Sequence, residues 1–233
     1  MSGLNEENRR RILAGVCLAG LALFLLTNPF TQLMARGARA ASVTAIALAG
    51  FVTPIQMALM IGSVFGIVQL LRKRADRAGL IGGTLALMGW TAGTRINVVN
   101  QLDALLQTGV SGLPGNALEK MFEAAPIVWV SIVPVGLMFP IGLITLGVTL
   151  FVAHPVSRWI GALLAVGGVL FPVGRAVGIE WAWSACDLVL GATFALIGWQ
   201  ILTRPELWRG EAAEREEEVV PIFPGHAELQ RVP

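Results

Sequence analysis

Charge is scarce in this chain: charged residues make up 14% of its 233 residues, whereas soluble domains carry about 25%. The mean hydropathy is +0.71, and 55% of the residues are hydrophobic. These values exclude an ordinary water-soluble globule. At about 20 residues per membrane crossing, the apolar stretches between Arg11 and Thr203 are long enough for roughly six crossings and leave only short loops.

Histidine and lysine are also scarce, and each shortage excludes a class of membrane protein. The two histidines, His154 and His226, lie in a predicted loop and in the polar tail, so they cannot hold a haem or a metal ion inside a helical bundle. The two lysines, Lys73 and Lys120, lie outside the apolar stretches, which removes the buried lysine that a retinal protein needs. A bis-histidine cytochrome and a rhodopsin are therefore excluded, and we expect no cofactor and no metal.

The two cysteines are predicted to lie near opposite faces of the membrane. Cys17 and Cys186 would be about 14 Å apart along the membrane normal at ~1.5 Å rise per residue. A disulfide requires Cα atoms within about 7 Å of each other. We therefore expect two unpaired cysteines that pack as small apolar side chains.

Six apolar segments are predicted to cross the membrane as helices. They cover residues 12–34, 44–71, 79–99, 126–152, 159–179 and 182–202. The predicted fold class is thus an all-α integral membrane protein, a bundle of six transmembrane helices. The predicted organisation is an N-terminal segment of residues 1–11, a transmembrane domain of residues 12–203 and a glutamate-rich, disordered tail of residues 204–233.

Lysine and arginine are distributed unequally between the two sides of this predicted bundle. Of the 17 basic residues, twelve fall on the side that holds both termini, three fall on the other, and Arg95 and Arg175 lie within spans. By the positive-inside rule, both termini are cytoplasmic and the protein belongs to the cytoplasmic (inner) membrane. Residues 38–40 resemble a signal-peptide cleavage site but lie too far beyond the apolar core. We expect the first helix to be retained and kinked at Pro29.

Two predicted helical hairpins share a faint sequence pattern. Ile81-Gly82 matches Ile160-Gly161, and Gly93-Thr94-Arg95 matches Gly174-Arg175. An offset of two spans preserves orientation, so the pattern would be a parallel repeat of hairpins. The shared glycine-rich, apolar composition explains the match equally well.

Small residues recur at helical spacing in three predicted spans. Such stripes let helix backbones approach closely in lipid, where no hydrophobic effect drives helices together. They predict a compact bundle and do not indicate a function. The stripes are Gly82, Ala86, Gly89 and Gly93; Gly161, Ala165 and Gly168; and Gly191, Ala195 and Gly198.

Three ionisable residues, Arg95, Arg175 and Asp187, lie within predicted spans and at one predicted depth near the outer end. Such residues are rare and costly in a bilayer, and each is a functional-site hypothesis. We predict an ion pair between Arg175 and Asp187 on consecutive antiparallel helices. With Asn97 and Asn100, these charges would line an outward-facing polar pocket that favours an anionic solute or headgroup. The alternatives are arginines that snorkel to the outer headgroups or burial against a partner subunit.

Several prolines lie inside the predicted spans. Each proline removes a backbone donor and frees a carbonyl, which neighbours or water must satisfy in lipid. Gates and transporters use kinked helices of this kind, although proline is also common in other membrane helices. The predicted kink or pathway residues are Pro54, Gln56, Pro134, Pro140 and Pro172.

Three functions are compatible with the sequence. The first is a small transport or solute- or lipid-binding protein, whose path would need Gln56, Thr53, Thr145 and Thr149. The second is a non-catalytic structural or assembly subunit that binds a partner membrane subunit. The third, a membrane-embedded lipid-modifying enzyme, is disfavoured because the sequence holds no recognisable nucleophile, metal-ligand spacing or acid and base pair. We expect the first function, no enzyme activity, and membrane lipids and an anionic solute or headgroup as partners, with no nucleic acid.

Overall fold

The described part of the chain is helical. A computed structural model describes residues 2–37, 43–107, 120, 127–177 and 180–209, and their side chains at residues 6–28, 52–94, 120, 134–174 and 181–208. No strand occurs in these residues, so the all-α prediction is confirmed there. The helices are α1 (Ser2–Gly37), α2 (Val43–Gln107), α3 (Ile127–Ala153), α4 (Arg158–Val177), α5 (Glu180–Thr203) and α6 (Pro205–Arg209).

Four described segments are long and apolar enough to cross a membrane, judged by length and composition. A fifth segment, Arg158–Gly174 in α4, is apolar but shorter. These helices are compatible with a membrane protein, although four segments rather than six meet the criterion. The four segments are Glu6–Asn28, Val52–Thr94, Pro134–Ala153 and Trp181–Thr203.

Helix α2 is a hairpin that reverses direction at Ala75. The backbone of Ala75 leaves the helical region, with φ −156° and ψ 53°. A Cβ placed on Gly83 would lie 2.6 Å from Cγ2 of Val68, whereas a straight helix would hold these positions about 22 Å apart. The second and third predicted spans are therefore two antiparallel segments, residues 43–74 and 76–107, joined without a loop.

The helical segments close a ring of neighbours in chain order. Helix α1 contacts the first segment of α2 and also α5, the second segment of α2 contacts α3, α3 contacts α4, and α4 contacts α5. One apolar cluster draws on all of these segments. Among its fully buried side chains are Leu18, Met60, Leu146, Leu164 and Phe194.

The predicted stripes of small residues lie at these helix contacts. A Cβ placed on Gly89 would overlap the backbone N of Phe139, and one placed on Gly142 would overlap the backbone N of Ala86. No larger side chain fits at such a distance from a neighbouring backbone. Close packing through small residues is therefore confirmed at these contacts, while Gly93 has no such neighbour within 4 Å.

Helix α3 has small-residue contacts on its other side as well. A Cβ on Gly147 would overlap the backbone N of Ala165, and a Cβ on Gly161 would lie 2.5 Å from the backbone N of Phe151. Gly161 thus packs within its own hairpin, whereas Gly82 packs against Leu146 in the following hairpin. Because the matching Ile-Gly pairs have different neighbours, the predicted repeat is not confirmed.

Helix α3 ends at Ala153, and His154 follows it in the predicted loop. His154 adopts a left-handed backbone conformation, with φ 51°, which histidine tolerates better than most residues. Its Nδ1 lies 2.5 Å from the carbonyl O of Phe151, and Nη2 of Arg158 lies 2.5 Å from its Nε2. These partners fit the tautomer that carries its proton on Nδ1. His154 therefore stabilises the end of a helix.

The ends of the folded part differ from the predicted boundaries. Helix α1 begins at Ser2 rather than at residue 12. Helix α6 places Leu207 and Trp208 against the apolar cluster, so it belongs to the folded bundle rather than to a tail that starts at residue 204. Residues 108–119, 121–126 and 210–233 lie outside the described residues.

Candidate functional site

Asp187 of α5 is the buried carboxylate among the described side chains, at 9% exposure. Asn28 of α1 donates from Nδ2 to Oδ2 of Asp187 at 2.6 Å. The contact therefore joins the first and the last long helix through a short hydrogen bond.

Small residues of α5 bring α1 close enough for this contact. Gly191 lies one helical turn after Asp187, and a Cβ there would lie 2.9 Å from Cγ of Leu26 and 3.2 Å from the carbonyl O of Ala22. A larger residue would push α1 away and lengthen the hydrogen bond from Asn28. The burial of the carboxylate and the approach of its donor thus depend on the same helix contact.

Sequence reasoning missed Asn28. The residue lies three positions after Leu25 and seven after Leu21, and both leucines are buried. Residues at these spacings share one helix face. A polar side chain that continues a buried apolar stripe was therefore the signal for this residue.

The other residues of the predicted pocket lie on described helices. Arg95, Asn97 and Asn100 belong to α2 and Arg175 to α4, but their side chains lie outside the described residues. The ion pair between Arg175 and Asp187 stays a prediction. The depth of each of these backbones along the bundle can nevertheless be inferred from the contacts of nearby residues.

An aromatic stack relates the levels of the two arginines. The ring of Phe139 on α3 lies 5.1 Å from Trp90 on α2 and 4.7 Å from Phe171 on α4, measured between ring centroids. Arg95 and Arg175 each follow one of these rings by about one helical turn. Their backbones therefore lie at a similar depth, beyond the aromatic stack.

Asp187 lies deeper in the bundle than the backbone of Arg175. Gly174 packs against Trp183, with a Cβ 3.1 Å from the indole Cδ1. Asp187 is one turn further into α5, so its backbone lies about 7 Å deeper than that of Arg175. The backbone of Asp187 is thus offset by about one turn from the backbones of Arg95 and Arg175, a distance that an arginine side chain can cover.

Two threonines of the predicted path, Thr145 and Thr149, bond within their own helix. Thr145 donates to the carbonyl O of Ile141 at 2.8 Å, and Thr149 donates to the carbonyl O of Thr145 at 2.6 Å. Both hydroxyls are therefore satisfied within their own helix. Gln56 is buried at 8% exposure. Among the described residues, the interior between the two ends holds one apolar cluster and a few buried polar side chains, Gln56, Ser63, Thr149 and Thr193.

The predicted kink residues lie inside continuous helices. Pro54 belongs to α2, Pro134 and Pro140 to α3, and Pro172 to α4. The break that the structure shows in α2 is at Ala75 and not at Pro54. Proline therefore does not mark the one reversal of direction within a described helix.

A cleft of 510 Å³ opens at the opposite end of the bundle. We call this end, where α1 begins, α2 reverses and α5 finishes, the basic end. The cleft lies between α1, α2 and α6, and Trp208 supplies its wall on α6. Its lining residues are Glu6, Glu7, Arg10, Gln69, Arg72, Lys73 and Trp208.

Two arginines at the basic end bond to the last carbonyls of helices. Nη1 of Arg11 donates to the carbonyl O atoms of Ile201 and Leu202 at 3.5 and 3.4 Å, and Nη1 of Arg74 donates to the carbonyl O of Ala153 at 2.7 Å. These carbonyls lack partners within their own helices and carry the negative end of the helix dipole. The arginines therefore stabilise the ends of α5 and α3.

The remaining reactive side chains form no further site in the described part of the chain. Neither Cys17 nor Cys186 forms a disulfide, as predicted. No group of three or more histidine, cysteine, aspartate or glutamate residues there is placed to hold a metal ion. No family model, curated protein or solved structure matches this chain.

Proposed function

We propose that this chain is a six-crossing protein of the cytoplasmic (inner) membrane with both termini in the cytoplasm. The apolar helices support this proposal, with the hairpin at Ala75 dividing Val52–Thr94 into two crossings and α4 supplying another. Arg11, Arg74 and the C-terminal end of α5 lie at one end of the bundle. The positive-inside rule expects such a basic end on the cytoplasmic side.

At the other end, the protein binds a small anionic solute or a lipid headgroup in the polar layer around Asp187. The burial of Asp187 against Asn28 carries this proposal. A carboxylate withdrawn from water is costly, so its burial needs polar or charged groups around it. Arg95 and Arg175 lie within about one turn of this level and would make the layer positive overall. Such a layer favours an anion.

The closed interior supports binding rather than an open transport path. The described core between the two ends consists of one apolar cluster, and the hydroxyls of Ser63, Thr149 and Thr193 bond to carbonyls of their own helices. Transport of the bound solute would require these helices to separate.

Native mass spectrometry of the full chain, extracted gently from its own membrane, tests the proposal. The wild type is compared with Arg95→Ala and Arg175→Ala. Arg77→Ala, an exposed arginine at the basic end, is the matched control. We expect a small bound mass in the wild type and the control, and about tenfold weaker binding in both layer variants, as for the loss of ~1.4 kcal/mol.

Two results would contradict this function. One is a bound mass that neither layer variant weakens. The other is a second polypeptide bound equally by all four proteins, which would favour the alternative of a structural or assembly subunit of a membrane complex.

A further inference from the structure

The cleft at the basic end carries charges of both signs on different walls. Its wall on α1 holds Glu6 and Glu7, and its wall on α2 holds Arg72 and Lys73. Arg10 also lies on the α1 wall, where it forms an ion pair with Glu6. The cleft therefore has an acidic side and a basic side.

The cleft lies where the apolar surface of α1 ends. Its wall on α1 lies one to two helical turns before Ile12 and Leu13, whose side chains are 47% and 63% exposed and would face lipid tails in a membrane. The headgroup layer of a bilayer begins at such a boundary. Trp208 lines the same cleft, and tryptophan is enriched at this level of a membrane. The cleft is thus at the level of phospholipid headgroups.

The two walls match a headgroup that carries both charges. A headgroup with a phosphate alone would place its negative charge beside Glu7, and a lone ammonium would lie beside Arg72. We propose that the cleft binds the phosphoethanolamine headgroup of a membrane phospholipid, with its phosphate on Arg72 and Lys73 and its primary ammonium on Glu7, because Glu6 is paired with Arg10. This site lies at the opposite end from the anion site around Asp187 and goes beyond the proposed function.

Lipid titration of the full chain in mild detergent, read by native mass spectrometry, tests this site. The probes are dioleoyl phosphatidylethanolamine and dioleoyl phosphatidylglycerol. We expect the ethanolamine lipid to bind about tenfold more tightly, as for ~1.4 kcal/mol of added interaction. Soluble glycerophosphoethanolamine distinguishes the lipid from the free phosphoester. Competition by this compound at micromolar concentration would overturn the assignment to a lipid.

Variants of each wall separate the two charge contacts. Arg72→Ala should weaken binding of the ethanolamine lipid about tenfold, and Glu7→Gln should abolish the preference over the glycerol lipid. Arg77→Ala is the matched control, because Arg77 is exposed at the same end and does not line the cleft. Unchanged melting temperatures show that the variants are folded. None of these changes touches the Asp187 end, so their outcome is independent of the Arg95→Ala result.

Equal binding of the two lipids, unchanged in Glu7→Gln, would overturn the proposal and leave only a basic surface patch. A chain that ends at Arg209 removes the glutamates of residues 211–218. An ethanolamine preference that persists in this shorter chain supports the proposal. Lipid binding that appears only after truncation would overturn it, because the acidic tail would then be the occupant of the cleft.

Discussion

The two ends of the bundle hold their charges in different ways. Near one end, Asp187 is buried within a helix contact and receives a hydrogen bond from Asn28. At the basic end, Arg11 and Arg74 reach the terminal carbonyls of neighbouring helices. A charge near a helix end meets water and carbonyls that lack partners, whereas a charge deeper in the helix needs a partner from a neighbouring helix. The depth of a charged residue along its helix therefore decides the free energy that its burial requires.

Removing the buried carboxylate should have the largest effect. Asp187→Ala leaves the amide of Asn28 without its acceptor and leaves Arg175 unpaired if the predicted ion pair forms. We expect the free energy of unfolding to fall by about 3 to 5 kcal/mol. Reversible unfolding in mixed detergent micelles measures it.

Replacing both Asp187 and Arg175 by leucine is the control for this prediction. An apolar pair of similar volume should recover much of the lost stability. If Asp187→Ala instead leaves the stability unchanged, then the carboxylate is solvated and the contrast between the two ends disappears.

Removing an arginine from a helix end should have an intermediate effect. Arg11→Ala and Arg74→Ala each leave terminal carbonyls without a cationic donor, and we expect a loss of about 1 kcal/mol of unfolding free energy. The same unfolding assay measures it, with Arg77→Ala as the exposed control. Equal losses in Arg74→Ala and Arg77→Ala would show that the contact with Ala153 contributes nothing.

The exposed ion pair at the basic end should have the smallest effect. Glu6 and Arg10 are one helical turn apart, with side chains 66% and 60% exposed. A double-mutant cycle with Glu6→Ala and Arg10→Ala should give a coupling of about 0.3 to 0.5 kcal/mol, which added salt should screen. A coupling as large as the loss expected for Asp187→Ala would show that depth along the helix does not decide the energetic effect of a charge.

Composition and periodicity predicted the helical class, the absence of a disulfide between Cys17 and Cys186 and the close contacts through small residues. The predicted spans 44–71 and 79–99 placed a turn within residues 72–78, and the reversal at Ala75 lies there. The exact residue could not be predicted, because alanine is a strong helix former and neither glycine nor proline marks the position. The turn is defined by packing instead: Gly83 accommodates Val68 where the two segments meet. Local sequence does not encode that kind of contact.

The candidate site was predicted in part for a similar reason. A charged residue inside an apolar helix is visible in the sequence, so Asp187 could be found. Its donor Asn28 lies in a helix far away along the chain, and periodicity shows that its face is buried without showing which helix covers it. Pairing between helices depends on the tertiary arrangement, which a single sequence does not give.

The glycine contacts of α3 have a mechanical consequence. At Gly89, Gly142 and Gly147 the nearest neighbouring atom is backbone. At the contacts of α1, the nearest atom to Gly15, Gly20, Gly191 and Gly198 is a leucine side-chain atom, and backbone atoms lie farther away. Side chains can change rotamer, but backbones in contact cannot yield. Helix α3 and its neighbours should therefore move as one rigid body while α1 slides, and hydrogen exchange should reach the amides of α1 before those of α3. The hydrogen bond from Asn28 of α1 to Asp187 would then oppose that motion.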